Sequence, residues 1–144
     1  MNYFSPLEAA VRVHHFGISV PNLEDAVQWY QEKLGFHILK QFDIAELKMR
    51  GVFLGVNGIQ LEIVERAESQ PNPASPSSAA DQLLLQGIKY IAFAVNDVDS
   101  VAANLKQHGV EIAWEPSTFE HLKFRFCHVK DNNGNLIKIV QELD

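Results

Sequence analysis

The pattern of apolar and polar positions repeats along the chain. "VHHFGISV" alternates and is rich in β-branched and aromatic residues, which predicts a strand over residues 13–20. "PNLEDAVQWYQEKLGF" follows, with Leu23, Ala26, Val27, Tyr30 and Leu34 at helical spacing and Glu24, Asp25, Gln28, Glu32 and Lys33 on the other faces. Asn22 is a helix cap by type and Gly35 a helix stop. The same order returns further on. "YIAFAV" predicts a strand, Asp97 a cap, and "VDSVAANLKQH" a helix with Val98, Val101, Ala102 and Leu105 on its apolar stripe, ended by Gly109. An internal repeat of this kind decides the architecture before any one element does.

Each copy closes with a hairpin, "GVFLGVNGIQLEIVER" in the first and "FRFCHVKDNNGNLIKIVQEL" in the second. Asn57-Gly58 and Asn133-Gly134 are strong hairpin-turn dipeptides. Aligning Gly58 with Gly134 makes Gln60 equivalent to Leu136 and Glu62 equivalent to Lys138. "LGFHILKQFDI" and "VEIAWEPST" supply the remaining strand of each copy. The expected fold is α+β, a single domain over 1–144 built from two tandem βαβββ modules at 12–66 and 88–142. Residues 67–87 carry Pro71, Pro73 and Pro76 among small polar residues and read as a surface linker, with "DQLLLQ" adding a short helical turn.

Composition narrows the class. The 144 residues, 47% hydrophobic and 21% charged, suit a globular domain, and no apolar run approaches the roughly 18 residues of a membrane span. The start "MNYFSPLEAAVRV" lacks a basic n-region and an apolar h-region, so cytoplasmic residence is expected. The lone Cys127 allows no internal disulfide and no cysteine-based zinc site, and reads as an inert strand residue. A formal charge of −6 without a Lys/Arg stripe argues against a nucleic-acid partner.

"HHFGISVPNLEDAVQWYQEKLGF", "QGIKYIAFAVNDVDSVAANLKQHGV" and "DNNGNLIKIVQ", set in two βαβββ modules, resemble the vicinal oxygen chelate superfamily. That group includes glyoxalase I, methylmalonyl-CoA epimerase, extradiol dioxygenases and the bleomycin-resistance proteins. The layout is nearest to its epimerase-like or glyoxalase-like members. The resemblance implies that the two modules curve into one cup-shaped mixed sheet with helices outside, around a divalent metal and a small substrate. It also implies a homodimer, which would cover exposed sheet edges. Carried over residue by residue, the four ligand positions are His15, Glu62, Tyr90 and Lys138. The superfamily's metal enzymes commonly show His and Glu where this chain has Tyr90 and Lys138.

The residue types at those places weigh against a metal. His15 and Glu62 are good donors, a phenol binds only when ionised, and an ammonium has no lone pair. A divalent ion about 4 Å from an ammonium is repelled by roughly 8 kcal/mol at an effective dielectric of about 20. A Glu62 to Lys138 ion pair in the metal's place is therefore the expectation, with no cofactor bound. The alternative is a divalent ion (Fe, Mn, Ni or Zn) held by His15 and Glu62 with an unusual ligand set. His14 should point to the opposite sheet face from His15, because strand side chains alternate.

Two functions stay open. One is binding of a small oxygenated or anionic molecule in the inter-module cavity, with a degenerate metal site and with His15, Glu62, Tyr90, Phe124 and Lys138 as ligand contacts. The other is a metal-dependent lyase, isomerase/epimerase or dioxygenase. In any chemistry Glu62 would be a base, Tyr90 a hydrogen-bond donor and Lys138 the partner of a carboxylate or of developing negative charge. Arg125 and His121 are further anion-selecting candidates. Trp29 and Trp114 read as packing or dimer-contact residues, and Phe119, Phe124 and Phe126 as core or as the wall of a pocket for a planar ligand.

Overall fold

The computed structural model describes residues 12–72 and 79–144. The first module comprises β1 (Phe16–Ser19), α1 (Leu23–Leu34), β2 (His37–Ile44), β3 (Met49–Val56) and β4 (Ile59–Arg66). One helical turn, α2 (Ala79–Gln82), then leads into the second module. That module comprises β5 (Tyr90–Ala94), α3 (Val98–Gln107), β6 (Glu111–Phe119), β7 (Phe124–Lys130) and β8 (Leu136–Glu142). Pro73 and Pro76 of the linker lie outside the described residues.

The caps are those the sequence indicates. Asn22 accepts from the Asp25 amide at 3.0 Å, and Asp97 accepts from the Ser100 amide at 3.1 Å. Gly35 closes α1 at φ 74, a left-handed conformation that only glycine adopts freely. The α1 stripe of Leu23, Ala26, Val27 and Tyr30 is buried, as is the α3 stripe of Val98, Ala102 and Leu105.

Both modules are four-stranded mixed sheets, ordered β1-β4-β3-β2 and β5-β8-β7-β6. In each the first strand runs parallel to the last, and the remaining pairs are antiparallel. Among the described residues β1 and β5 pair only within their own sheets, so the strands make two sheets where one continuous sheet was expected. Periodicity fixes which side chains share a face, but not which free edges meet.

One hydrophobic core draws on both modules. Tyr30, Phe36, Leu54, Leu61 and Ile63 join Val98, Leu105, Cys127, Val129, Ile137 and Ile139. Across the junction the Phe36 and Phe93 rings lie 6.3 Å apart, and Lys33 Nζ donates to the His108 carbonyl at 2.6 Å. Deeper in, the Tyr30 hydroxyl donates to Asp131 Oδ2 at 2.8 Å. Burial first, then the charges of Glu115 and Asp99, pushes the Cys127 thiol up to about 11, which keeps it unreactive.

The two hairpins turn differently. Asn57 and Gly58 stand at φ 47 and 80, the positive pair of a two-residue type I′ turn. The second turn is longer, correcting the expected match. Asp131 Oδ1 accepts from the amides of Asn133 and Asn135, and the Asp131 amide donates to the Asn135 carbonyl. That carboxylate, not the Asn-Gly dipeptide alone, shapes the loop.

In β3, Gly51 pairs with Phe42, whose ring covers it. A Cβ at Gly51 would collide with that ring and meet the Ile63 carbonyl oxygen at 2.9 Å. Gly51→Ala is expected to lower stability by about 1–3 kcal/mol, read from the urea midpoint at unchanged m-value.

Candidate functional site

Register lines up equivalent rows across the two sheets. In the first, Glu62 on β4 faces Phe53 on β3, which faces Lys40 on β2. In the second, Lys138 on β8 faces His128 on β7, which faces Trp114 on β6. Parallel pairing sets Gly17 beside Glu62 and Ala92 beside Lys138, so His15 and Tyr90 occupy equivalent places two residues earlier. Cys127, Val129, Ile137 and Ile139 go into the core, and strand alternation therefore turns Phe126, His128 and Lys138 to the other face.

On the first module the site residues are His15, His14 and Glu62. His15 Nε2 lies 3.8 Å from Glu62 Oε1, and its ring meets Phe53 edge-on at 5.0 Å. His14 does not take the opposite face. Its Nδ1 is 2.7 Å from His15 Nδ1, and the rings cross at 78°. The strand begins at Phe16 rather than Val13, so alternation does not govern the two histidines.

Lys138 has no bond to Glu62. Its Nζ stands over two rings, 4.6 Å from the Phe126 centroid and 5.3 Å from that of Tyr90, while Glu62 has the His15 ring beside it at 3.8 Å. The expected Glu62 to Lys138 ion pair is absent among the described residues. Repeat symmetry equates their places within the modules and sets no distance between them.

The second module adds a cluster of rings around the lysine. His128 packs edge-on to Tyr90 at 5.1 Å and to Phe126 at 5.6 Å. Trp114 lies 5.7 Å from Phe126 and 6.0 Å from His128, and Phe119 crosses Phe126 at 5.0 Å. Trp114 is thus part of an aromatic face on β6 and β7. Phe124 begins β7 on the same alternation but makes no ring contact with this group among the described residues; Phe126 is the phenyl under the lysine. Counting back from Lys138 through the hairpin register would have found Phe126 and His128.

His128 is 5% exposed, and its Nδ1 has no hydrogen-bond partner among the described residues. Burial first, then the charge of Lys138, lowers its pKa from the usual 6.5 to about 4, so the ring is neutral near pH 7. Arg125 is not free to select an anion. It donates to both Asp99 oxygens at 2.7 Å and to Thr118 at 3.1 Å.

The match to known proteins covers this whole frame. The model of the Glyoxalase/Bleomycin resistance protein/Dioxygenase superfamily fits residues 12–139. The chain belongs to that superfamily. An ethylmalonyl-CoA/methylmalonyl-CoA epimerase of Cereibacter sphaeroides is 28% identical over 141 residues, spanning 90% of this chain and 97% of that protein. A glyoxalase family protein of Enterococcus faecalis superposes with a TM-score of 0.75 at 22% identity, over 90% of this chain and 96% of that one. Glyoxalase I from Zea mays superposes at 0.69 and 21% identity over 89% of this chain, which spans only 43% of the maize protein.

Set against the divalent ion implied by the resemblance, the donor set is poor. Of the four positions only His15 and Glu62 offer metal donors, and Lys138 brings a positive charge. Among the described residues no three His, Cys, Asp or Glu side chains gather where one ion could reach them all. The four positions thus supply two of the donors a divalent ion needs. A crevice between the modules, about 400 Å³ and lined by Leu34, Phe36, Ile59, Phe93 and Val101, contains none of the four.

Proposed function

We propose that this superfamily member binds a small oxygenated or anionic organic molecule, and does so without the divalent ion. The reading rests on Lys138, a half-buried ammonium where a carboxylate ligand would be needed, with Tyr90 in place of the second histidine. A cation fixed by the chain attracts the ligand's negative oxygen and repels a metal. Tyr90 and Lys138 contact the ligand in this reading, with His15 and Glu62 on the companion face. The open sheet edges, among them β2 with Ile38 and Leu39 exposed, suit a homodimer in the cytoplasm.

A second reading has one observation in its favour. His14, His15 and Glu62 lie close in sequence or space, and the bacterial relative is named an epimerase. Under it the chain is a metal-dependent lyase, isomerase/epimerase or dioxygenase.

Metal analysis separates the two. Protein purified without chelator is expected to hold far less than one equivalent of Fe, Mn, Ni or Zn, and its melting temperature is expected to stay fixed when these are added. A bound ion at a hundred times its Kd would contribute about 3 kcal/mol to stability, so a stoichiometric ion with a clear rise in melting temperature overturns the metal-free reading.

A further inference from the structure

Among the described half-buried cations, Lys138 is set apart by its partners. Arg50, Arg125 and Lys130 have carboxylates, and Lys33 and Lys89 donate to backbone carbonyls. Among the described residues Lys138 has only the faces of Phe126 and Tyr90. Ring faces hold an ammonium in place yet leave its N–H donors open toward a negative oxygen.

Two further observations bear on what fills the place. His128, opposite Lys138 in register and on the same face, keeps Nδ1 buried without a partner. Such an atom is costly unless something bonds to it. Beside it the Trp114, Phe119 and Phe126 rings form a continuous apolar wall, with Phe119 38% exposed at its outer end.

Resting on the reading above, and narrowing it to one module, we infer that the face of β5–β8 turned away from the helix-packed core binds an aromatic monocarboxylate. The carboxylate pairs with Lys138 Nζ, and its second oxygen accepts from His128 in the tautomer that carries the proton on Nδ1. The aryl group packs against Trp114 and Phe119. Among the described residues Lys138 is the one lysine or arginine whose charge stands over this ring cluster, which suits one carboxylate rather than two. A charged acceptor forms the stronger class of hydrogen bond with both donors.

The probes are phenylacetate, its uncharged isostere phenylacetamide, and acetate, which lacks the ring, measured by calorimetry with chelator present. Phenylacetate is expected to bind about tenfold more tightly than either of the others. Lys138→Met should erase the preference for the acid over the amide, Lys138→Arg should keep it, and His128→Phe should weaken phenylacetate alone. Equal binding of acid and amide, or an unchanged preference in a folded Lys138→Met protein, overturns the inference. If phenylacetate fails while the protein remains free of metal, this assignment falls and the broader metal-free reading stands. If a stoichiometric ion is found, that reading falls whatever phenylacetate does.

Discussion

Replacing Asp131 with alanine is expected to lower the unfolding free energy by about 3–5 kcal/mol, a large loss for a single polar substitution. The carboxylate is 6% exposed and accepts four hydrogen bonds, from the Tyr30 hydroxyl, the Asn133 and Asn135 amides, and the Asn135 side chain. Alanine would strand those donors and also release the only bond in this group that crosses from one module to the other. Tyr30→Phe removes just that crossing bond and keeps the turn, so about 1–2 kcal/mol is expected. Urea unfolding of the two variants at neutral pH measures the difference. Equal losses would mean that the turn contributes nothing beyond the crossing bond.

Tyr30 adds a pH dependence with a definite sign. Burial first, then the charge of Asp131 and the hydrogen bond to it, holds the phenol far above its usual 10. The folded state therefore keeps a proton that the unfolded chain gives up, and the associated stability is present below pH 10 and declines above it. Tyr30→Phe should flatten that alkaline decline.

How much of this was legible beforehand depends on whether a feature is local. The Asn22 and Asp97 caps, the Gly35 stop, and the Asn57-Gly58 turn each follow from side-chain chemistry within a few residues, and all appear in the structure. The repeat likewise predicted two copies with equivalent strands. What failed needed information between segments. Glu62 and Lys138 are equivalent within their modules, but equivalence gives no separation, and Glu62 meets His15 instead. His14 escaped alternation because alternation holds only inside a ladder, and the ladder starts at Phe16. Asn133-Gly134 looked like a two-residue turn until Asp131 drew the neighbouring amides inward. His128 was placed by hairpin register, which a sequence with a longer loop leaves open by a residue or two.

Acid should expose His128 as a liability of the second module. Its pKa falls from the usual 6.5 in an unfolded chain to about 4 in the folded one. The unfolded state then binds the proton first as pH drops, so the stability held above pH 6.5 is lost progressively down to about pH 4. A gap of that size corresponds to about 3 kcal/mol. His128→Phe would leave the aromatic cluster intact, remove the unpartnered Nδ1 and erase the acid slope, while at pH 7 it should be as stable as the parent or about 1 kcal/mol more so. Lys138→Met removes the second cause of the shift, and should move the histidine's titration upward without restoring it to 6.5, because burial is the larger cause. Unfolding curves at several pH values, with the ring proton followed by NMR, read both effects. A parent protein equally stable at pH 7 and pH 4.5 would mean that His128 is open to water. A buried histidine that weakens the chain in acid, where phenylalanine fits, needs a reason other than packing. Stability gives no reason for the residue, which leaves a partner for Nδ1 beside Lys138 as the physical account of its presence.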